Sequence, residues 1–320
     1  MDEAEFDRTM KAPGADPSTP TRRTLLRCMA WAGAGTLWTV VGGVPTPFQL
    51  GTEEAQAAPM GGFAFAQVSD SHIGFHGDAN PDPNGTLTAA LQRIRTLPQK
   101  PTMIVHTGDV SHLAKPEQFD AAEQLMKTAG LPVHYIPGEH DTLVDNGKPF
   151  FARFNPGVKT GGWYSFDQGG AHFVALINVV GFQPGSLGKF GGEQLEWLER
   201  DLKGRSASTP IVVMAHMPMW SLYPQWGWGT ADADAAVAYL KRFGSVTVLN
   251  GHIHQVVQKV EGHLTFHTAL STAFPQPPAG QGPGPMPLKV PAEKLGSMLG
   301  AREVDIKHTG VSLSDATLST

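Results

Sequence analysis

The sequence predicts an α/β layered domain with two sheets and helices outside, and three observations carry that expectation. Apolar runs of strand length recur along the chain, amphipathic helical patterns separate them, and two pairs of short runs flank tight turns. The runs are Phe63 to Val68, Met103 to His106, Val133 to Ile136, Ile211 to Met214 and Val246 to Leu249. Each ends in a polar cluster, which reads as a buried strand running out to a loop.

The helical segments follow in order. Leu87, Ala90, Leu91 and Ile94 share one face ahead of Pro98, and Phe119, Ala122, Met126 and Ala129 share another between Pro116 and Gly130. Pro in the first turn and Gly past the last are start and stop signals. Glu193 to Leu202 stops at Gly204, and Ala231 to Phe243 stops at Gly244. In the latter, Asp232 and Asp234 stand early and Lys241 and Arg242 late, as the helix dipole favours. Hairpins are expected where Trp163 to Phe166 and Ala171 to Leu176 flank Gln168-Gly169-Gly170, and where Val256 to Val260 and Leu264 to Thr268 flank Glu261-Gly262. Residues 275–300 read as a loop, densest in Pro and Gly from Pro275 to Pro291, with weak strand patterns after it at Val304 to Lys307 and Val311 to Leu313.

The chain of 320 residues, 41% hydrophobic, supplies one full core, so residues 58–320 are expected to form a single catalytic domain. That stretch carries 19 Lys and Arg against 22 Asp and Glu, which gives no cationic surface for a stable nucleic-acid partner. All thirteen histidines lie beyond residue 57, and the only cysteine, Cys28, lies before it. A mature chain would then have no disulfide and no thiolate metal ligand.

Residues 1–57 read as an address. Arg22 and Arg23 precede a Gly-diluted apolar run from Cys28 to Val44 and the small-residue pattern Ala55-Gln56-Ala57, which resembles a twin-arginine (Tat) signal peptide. The apolar run is short and weak against the roughly 20 residues a bilayer requires, so no transmembrane anchor is expected in the mature protein. Export by the Tat machinery would place it in the periplasm or outside the cell.

Each strand-length run ends in side chains that bind metals. Asp70 and His72 follow the first, Asp109 the second, and Glu139, His140 and Asp141 the third; His216, and then His252 and His254, follow the later two. Carboxylate and imidazole suit zinc, manganese and iron. One such cluster would be an ordinary turn, but five in succession directly after strands point to a shared site.

In order, Asp-x-His, Gly-Asp, Gly-Glu-His-Asp, a lone His and Gly-His-x-His resemble the signature of calcineurin-like binuclear metallophosphoesterases across residues 69–254. The opening Asp-x-His is more similar to the cyclic-nucleotide phosphodiesterase branch than to purple acid phosphatases. The resemblance implies a layered sandwich of two mixed sheets flanked by helices. It also implies two metal ions, drawn from Fe, Mn or Zn: Asp70, His72 and His254 at site A, Asp109 bridging, and His216 and His252 at site B. His140 is implied to be catalytic and to sit over the substrate phosphate.

Glu139 departs from the pattern, since the family has Asn there. It either supplies one oxygen to site B as the amide would, or alters metal preference, or marks a site with little turnover. His112 stands three residues after Asp109, where purple acid phosphatases place a tyrosine ligand, and reads here as a loop histidine. Trp220, Tyr223, Trp226 and Trp228 crowd the loop after His216 and either stack a planar group or pack on their own domain. His76 and His106 are near enough to the ligands in sequence to support them.

The expected function is an exported metal-dependent phosphoesterase that hydrolyses phosphomonoesters or phosphodiesters by a metal-bridging hydroxide. The alternative is an exported metal-binding or redox-linked protein that keeps the fold with little phosphoesterase turnover. The partners expected are a phosphate-ester substrate and the Tat machinery.

Overall fold

A computed structural model describes residues 62–183, 185–282, 284–307 and 310–319, together with the backbone of three short strands nearer the N-terminus. Those strands, Trp31–Ala32, Thr36–Val41 and Val44–Gln49, pair antiparallel in that order within the unit Met1–Pro59. The paired arginines and the Ala55-Gln56-Ala57 pattern expected to form the leader lie outside the described residues.

In the unit from Met60 to Thr320, the strands are β1 (Phe63–Val68), β2 (Ile104–His106), β3 (Val133–Tyr135), β4 (Tyr164–Gln168), β5 (Ala171–Ala175), β6 (Ile211–Met214), β7 (Val246–Asn250), β8 (Gln258–Glu261), β9 (Leu264–Thr268), β10 (Gly300–Lys307) and β11 (Gly310–Thr317). The helices are α1 (Pro83–Arg95), α2 (Pro116–Lys127), α3 (Lys148–Phe154), α4 (Gly192–Leu202), α5 (Ala233–Leu240) and α6 (Ala292–Met298). One sheet has the order β8-β9-β7-β6-β5-β4 and the other β11-β10-β1-β2-β3. Both are mixed: the inner neighbours β5, β6, β7 and β9, and likewise β1, β2 and β3, run parallel, while hairpins and β10 add antiparallel edges.

The two-residue period of a strand sorts its side chains between layers. Phe63, Phe65, Val105, Phe173, Val212 and Met214 fill the space between the two sheets. Alternate residues of the same strands face outward: Ala66, Val68 and Ile104 meet Leu87, Leu91 and Ile94 of α1 and Phe119 and Met126 of α2. On the other side Val174, Ile211 and Val213 meet Leu198 and Leu202 of α4 and Leu240 of α5. The result is the expected sandwich with helices on both outer faces.

Helix α1 begins where Asp82 accepts the Gly85 N–H at 2.9 Å and Pro83 opens the first turn, and its expected apolar face is the buried one. Because β1, β2 and β3 are parallel, their carboxyl ends emerge on one edge, and β6 and β7 deliver theirs likewise. Among the described residues, no helix is long and apolar enough to cross a membrane.

Candidate metal centre

The loops leaving these strands are knitted to one another. Asp70 N–H donates to the Gly108 carbonyl at 3.0 Å and His72 N–H to that of Asp109 at 2.9 Å, while His252 N–H, from the other sheet, donates to Asp70 Oδ1 at 3.0 Å. Asp70, His72, Asp109, His252 and His254 all adopt left-handed backbone, with φ of 53°, 39°, 51°, 71° and 53°. Such a conformation costs of order 1–3 kcal/mol for a residue with a side chain, though Asp and His tolerate it better than most. Five such turns in one cluster aim side chains that an extended strand end would send to alternate faces. The flanking glycines serve the same crowding: a Cβ on Gly108 would overlap His216, and one on Gly251 would overlap Ser69.

All seven residues expected to hold metal converge. Asp70, His72 and His254 form one group whose ligand atoms lie within 4.8 Å of one another, and Glu139, His216 and His252 form a second. Asp109 Oδ2 lies between them, 3.5 Å from His72 Nε2 and 3.4 Å from His216 Nε2. The two groups could each hold an ion with Asp109 shared.

The tautomers fit that use. His216 Nδ1 lies 2.7 Å from the Thr107 carbonyl and His254 Nδ1 2.6 Å from that of Phe274. A carbonyl can only accept, so each Nδ1 carries the proton and, in the neutral ring, Nε2 is left with a lone pair facing the cluster. Buried Asp70 Oδ2 and His252 Nε2 have no hydrogen-bond partner among the described residues, and Glu139 faces His216 Nε2 at 2.9 Å and His252 Nδ1 at 3.0 Å without a well-aligned hydrogen bond to either. Buried polar atoms are rarely left so, and a coordinated cation satisfies all of them together. A donor set of carboxylates and imidazoles without thiolate suits zinc, manganese or iron.

The electrostatics are those of acids and bases pressed together. Burial alone would raise the Glu139 carboxyl, yet the His252 and His216 imidazoles hold it well below its ordinary range. Burial likewise opposes a charge on His216, but Asp109 and Glu139 outweigh it and raise that ring well above its usual value. His72 is pushed the other way, by burial and by the neighbouring His140, His254 and His112.

His140 belongs to neither of the two three-residue groups, although a ring nitrogen of it comes within 4.8 Å of ligand atoms of His72 and His112, and of Asp109 and Glu139. Its Nδ1–H donates to the His112 carbonyl at 2.7 Å, and its backbone N–H donates to Asp109 Oδ1 at 3.0 Å. Burial lowers its pKa, but Asp109 and Glu139 more than compensate, and the ring protonates more readily than an ordinary histidine.

Two residues, His112 and Asp141, matter more here than the sequence suggested. His112 belongs to the site: its Nδ1 is 3.4 Å from His72 Nδ1, and its ring stacks on that of His140 at 4.9 Å. Asp141 clamps two loops together, accepting the N–H groups of Val110, Ser111 and Gly138 at 2.8 to 3.0 Å. His106 is buried against the Ser71 hydroxyl at 2.8 Å, whereas His76 is exposed and makes no such contact. Of the four aromatic residues after His216, Trp228 is buried and Trp220 packs on Phe266, while Trp226 lines a cavity that also reaches Glu139, His140 and His252.

The calcineurin-like phosphoesterase family matches residues 63–256. A probable cyclic nucleotide phosphodiesterase of Synechococcus is 26% identical over 236 residues, covering 68% of this chain and 85% of the relative. Acid phosphatase type 7 of Homo sapiens is 32% identical over 127 residues, covering 37% of this chain. The chain spans only 29% of the length of that human relative. In fold, the chain resembles a dimetal phosphatase from Danio rerio, with a TM-score of 0.58 at 15% identity over 82% of this chain and all of that one. It also resembles a purple acid phosphatase from yellow lupin, with a TM-score of 0.59 at 13% identity over 82% of this chain and 53% of that one. With its matched stretch running from the start of β1 past the last residue of the metal-ligand cluster, the chain belongs to the calcineurin-like phosphoesterase family, whose members are hydrolases of phosphate esters.

Proposed function

We propose that this chain is a metal-dependent phosphoesterase in which Asp70, His72 and His254 hold one ion, Glu139, His216 and His252 hold a second, and Asp109 is shared between them. The observation that carries the reading is the set of buried ligand atoms on Asp70, Glu139, His216 and His252 that lack well-aligned hydrogen bonds, with Glu139 and His252 also lining a cavity beside His140. Two ions so held would acidify a water to the attacking hydroxide and clamp the phosphoryl oxygens for in-line displacement.

The remaining work falls to the chain itself. Since the His112 carbonyl fixes the Nδ1 proton of His140, the proton that His140 gains on charging sits on Nε2. From there it can pass to the departing ester oxygen, and general acid help of this kind contributes typically 10²–10⁴-fold. Against the burial that opposes a charge on the ring, Asp109 and Glu139 raise the affinity of His140 for that proton. Asp141 holds the Asp109 and Glu139 loops at a fixed separation through its four hydrogen bonds.

Residues 58–320 are taken as the catalytic domain and residues 1–57 as a Tat leader, so that the enzyme acts outside the cytoplasmic membrane. The test is hydrolysis of chromogenic phosphomonoesters and phosphodiesters by protein loaded with Mn, Zn or Fe. Turnover that disappears on chelation is expected. Stoichiometric metal binding without turnover of any ester would favour an exported metal-binding or redox-linked protein instead.

A further inference from the structure

Next to the cluster opens a cavity of ≈ 640 Å³, far larger than one phosphoryl group needs. Glu139, His140 and His252 lie at its reactive end. The rest of its wall divides into an apolar part, Leu143, Phe182 and Trp226, and a neutral polar part, Asn146, Gln183 and Gln225. No Lys or Arg is among the lining residues. Apolar surface continues at the rim, where Leu143 is 59% exposed and Val144 and Val180 are each 45% exposed.

Trp226 is set before any ligand arrives. Tyr223 and Trp228 meet it edge-on, at 5.3 and 5.1 Å between ring centres and close to perpendicular. An indole fixed in this way offers stacking area with little entropy left to lose. The neutral amides can hydrogen-bond a heteroatom, but they cannot balance a charge.

Charge separates the possible esters. A phosphomonoester has a second pKa near 6 and carries close to two negative charges at neutral pH, whereas a diester carries one. In this site the anion approaches three carboxylates, Asp70, Asp109 and Glu139, and beyond His140 at the reactive end the described lining offers it no Lys or Arg. Whatever positive charge two ions bring is largely offset by those carboxylates, so each extra negative charge on the ester is poorly compensated.

Resting on the phosphoesterase reading of this site, we propose that its substrates are phosphodiesters bearing an uncharged, flat, apolar substituent, taken in preference to phosphomonoesters and to esters with a second anionic group. The scissile phosphate sits over the metal centre, and the flat substituent that stays on phosphorus after cleavage lies along Trp226 and Phe182.

The test compares bis(p-nitrophenyl) phosphate, methyl p-nitrophenyl phosphate and p-nitrophenyl phosphate on the metal-loaded protein. The bis-aryl diester is expected to exceed the monoester in kcat/KM by about tenfold or more, a margin within reach of pocket discrimination. Trp226→Ala should raise KM for the bis-aryl diester by up to about tenfold while leaving methyl p-nitrophenyl phosphate nearly unchanged. Gln183→Arg should move the ratio toward the monoester. Calorimetric titration with diphenyl phosphate and phenyl phosphate reads the same preference without turnover, and the diester should bind more tightly. Equal or better use and binding of the monoester, or no response to either substitution, would overturn the assignment. If no ester is hydrolysed, the phosphoesterase reading falls, while the calorimetric order still decides this one.

Discussion

Glu139 Oε2 lies 2.9 Å from His216 Nε2, and the other oxygen of the same carboxylate lies 3.0 Å from His252 Nδ1. The carboxylate therefore sits where an amide oxygen of the family's Asn would reach the second metal group, and it adds a negative charge that the amide does not. Together with Asp70 and Asp109 it makes a three-carboxylate centre, which two divalent ions and a bridging hydroxide would leave formally neutral; one trivalent and one divalent ion would restore the single positive charge that an Asn-bearing site keeps. Protein purified from the cells that make it is expected to contain an Fe(III)-M(II) pair, and Glu139→Asn to shift toward two divalent ions. Metal analysis with EPR or Mössbauer spectroscopy decides it. Two divalent ions in the wild type, with neither occupancy nor rate changed in the variant, would mean that Glu139 only replaces the amide.

His140 is expected to serve the reaction without holding metal. Its Nδ1 is committed to the His112 carbonyl, and Asp70, His72 and His254 with Glu139, His216 and His252 form two groups without it, although its ring also comes within reach of Asp109 and Glu139. His140→Ala should lower kcat by about 10²–10⁴-fold with both ions retained, and His140→Asn should not restore it, since the amide cannot give up a proton. Loss of an ion from either variant would make His140 a ligand instead.

His112 should act on metal affinity through His72. Burial with the neighbouring His140 charge holds His112 at about 4, and burial with the surrounding imidazoles keeps His72 lower than usual, so both rings are neutral near pH 7. Two neutral imidazoles can share one hydrogen bond between their Nδ1 atoms, which leaves His72 Nε2 turned toward Asp109 and His254. His112→Ala is expected to weaken binding at the first metal group by about 10–100-fold, measured by chelator competition, with partial recovery in His112→Asn. Unchanged affinity would return His112 to the standing of an ordinary loop residue.

How these residues differ in legibility has a physical basis. Asp70, Asp109, Glu139, His216 and His252 each stand just after an apolar run, so the succession of such strand ends, read with the family resemblance, is legible as a ligand set. The place of His112 depends instead on the left-handed turn at Asp109 and on the Asp141 clamp across 30 residues, neither of which leaves a local pattern. Strand β10 is legible only from Val304 onward because Arg302 and Glu303 interrupt its first half. Arg302 and Glu303 are buried there, Arg302 against Asp315 and the Thr268 carbonyl and Glu303 against the Gln99 N–H, so paired charges occupy positions where apolar alternation would be looked for. Helix α3 spans only seven residues, too few for a periodic signal.

The leader assignment leads to a cellular prediction. If receptor reading of Arg22 and Arg23 depends on guanidinium geometry, their joint replacement by Lys should leave the full-length protein uncleaved in the cytoplasm, as judged by fractionation and mass. Continued export of the double variant would remove the Tat assignment and leave the catalytic reading untouched.

Acid lability can be traced to histidines away from the metal centre. His267, on β9, is held at about 4 by burial, with the Arg302 guanidinium adding to the effect. In the unfolded chain it returns to the ordinary value of about 6.5. Between those values the unfolded chain binds a proton that the folded chain does not, so stability declines as pH falls from about 6.5 to 4 and stops declining on this account below that. A single group can contribute at most about 1.4 kcal/mol per pH unit within the window. Urea unfolding of metal-free protein at pH 7.5, 6.0 and 5.0 should therefore show a falling midpoint, with a shallower fall in His267→Gln. Because the variant leaves the metal ligands in place, a difference in slope belongs to His267 itself, and parallel slopes would show that its proton affinity is the same folded and unfolded.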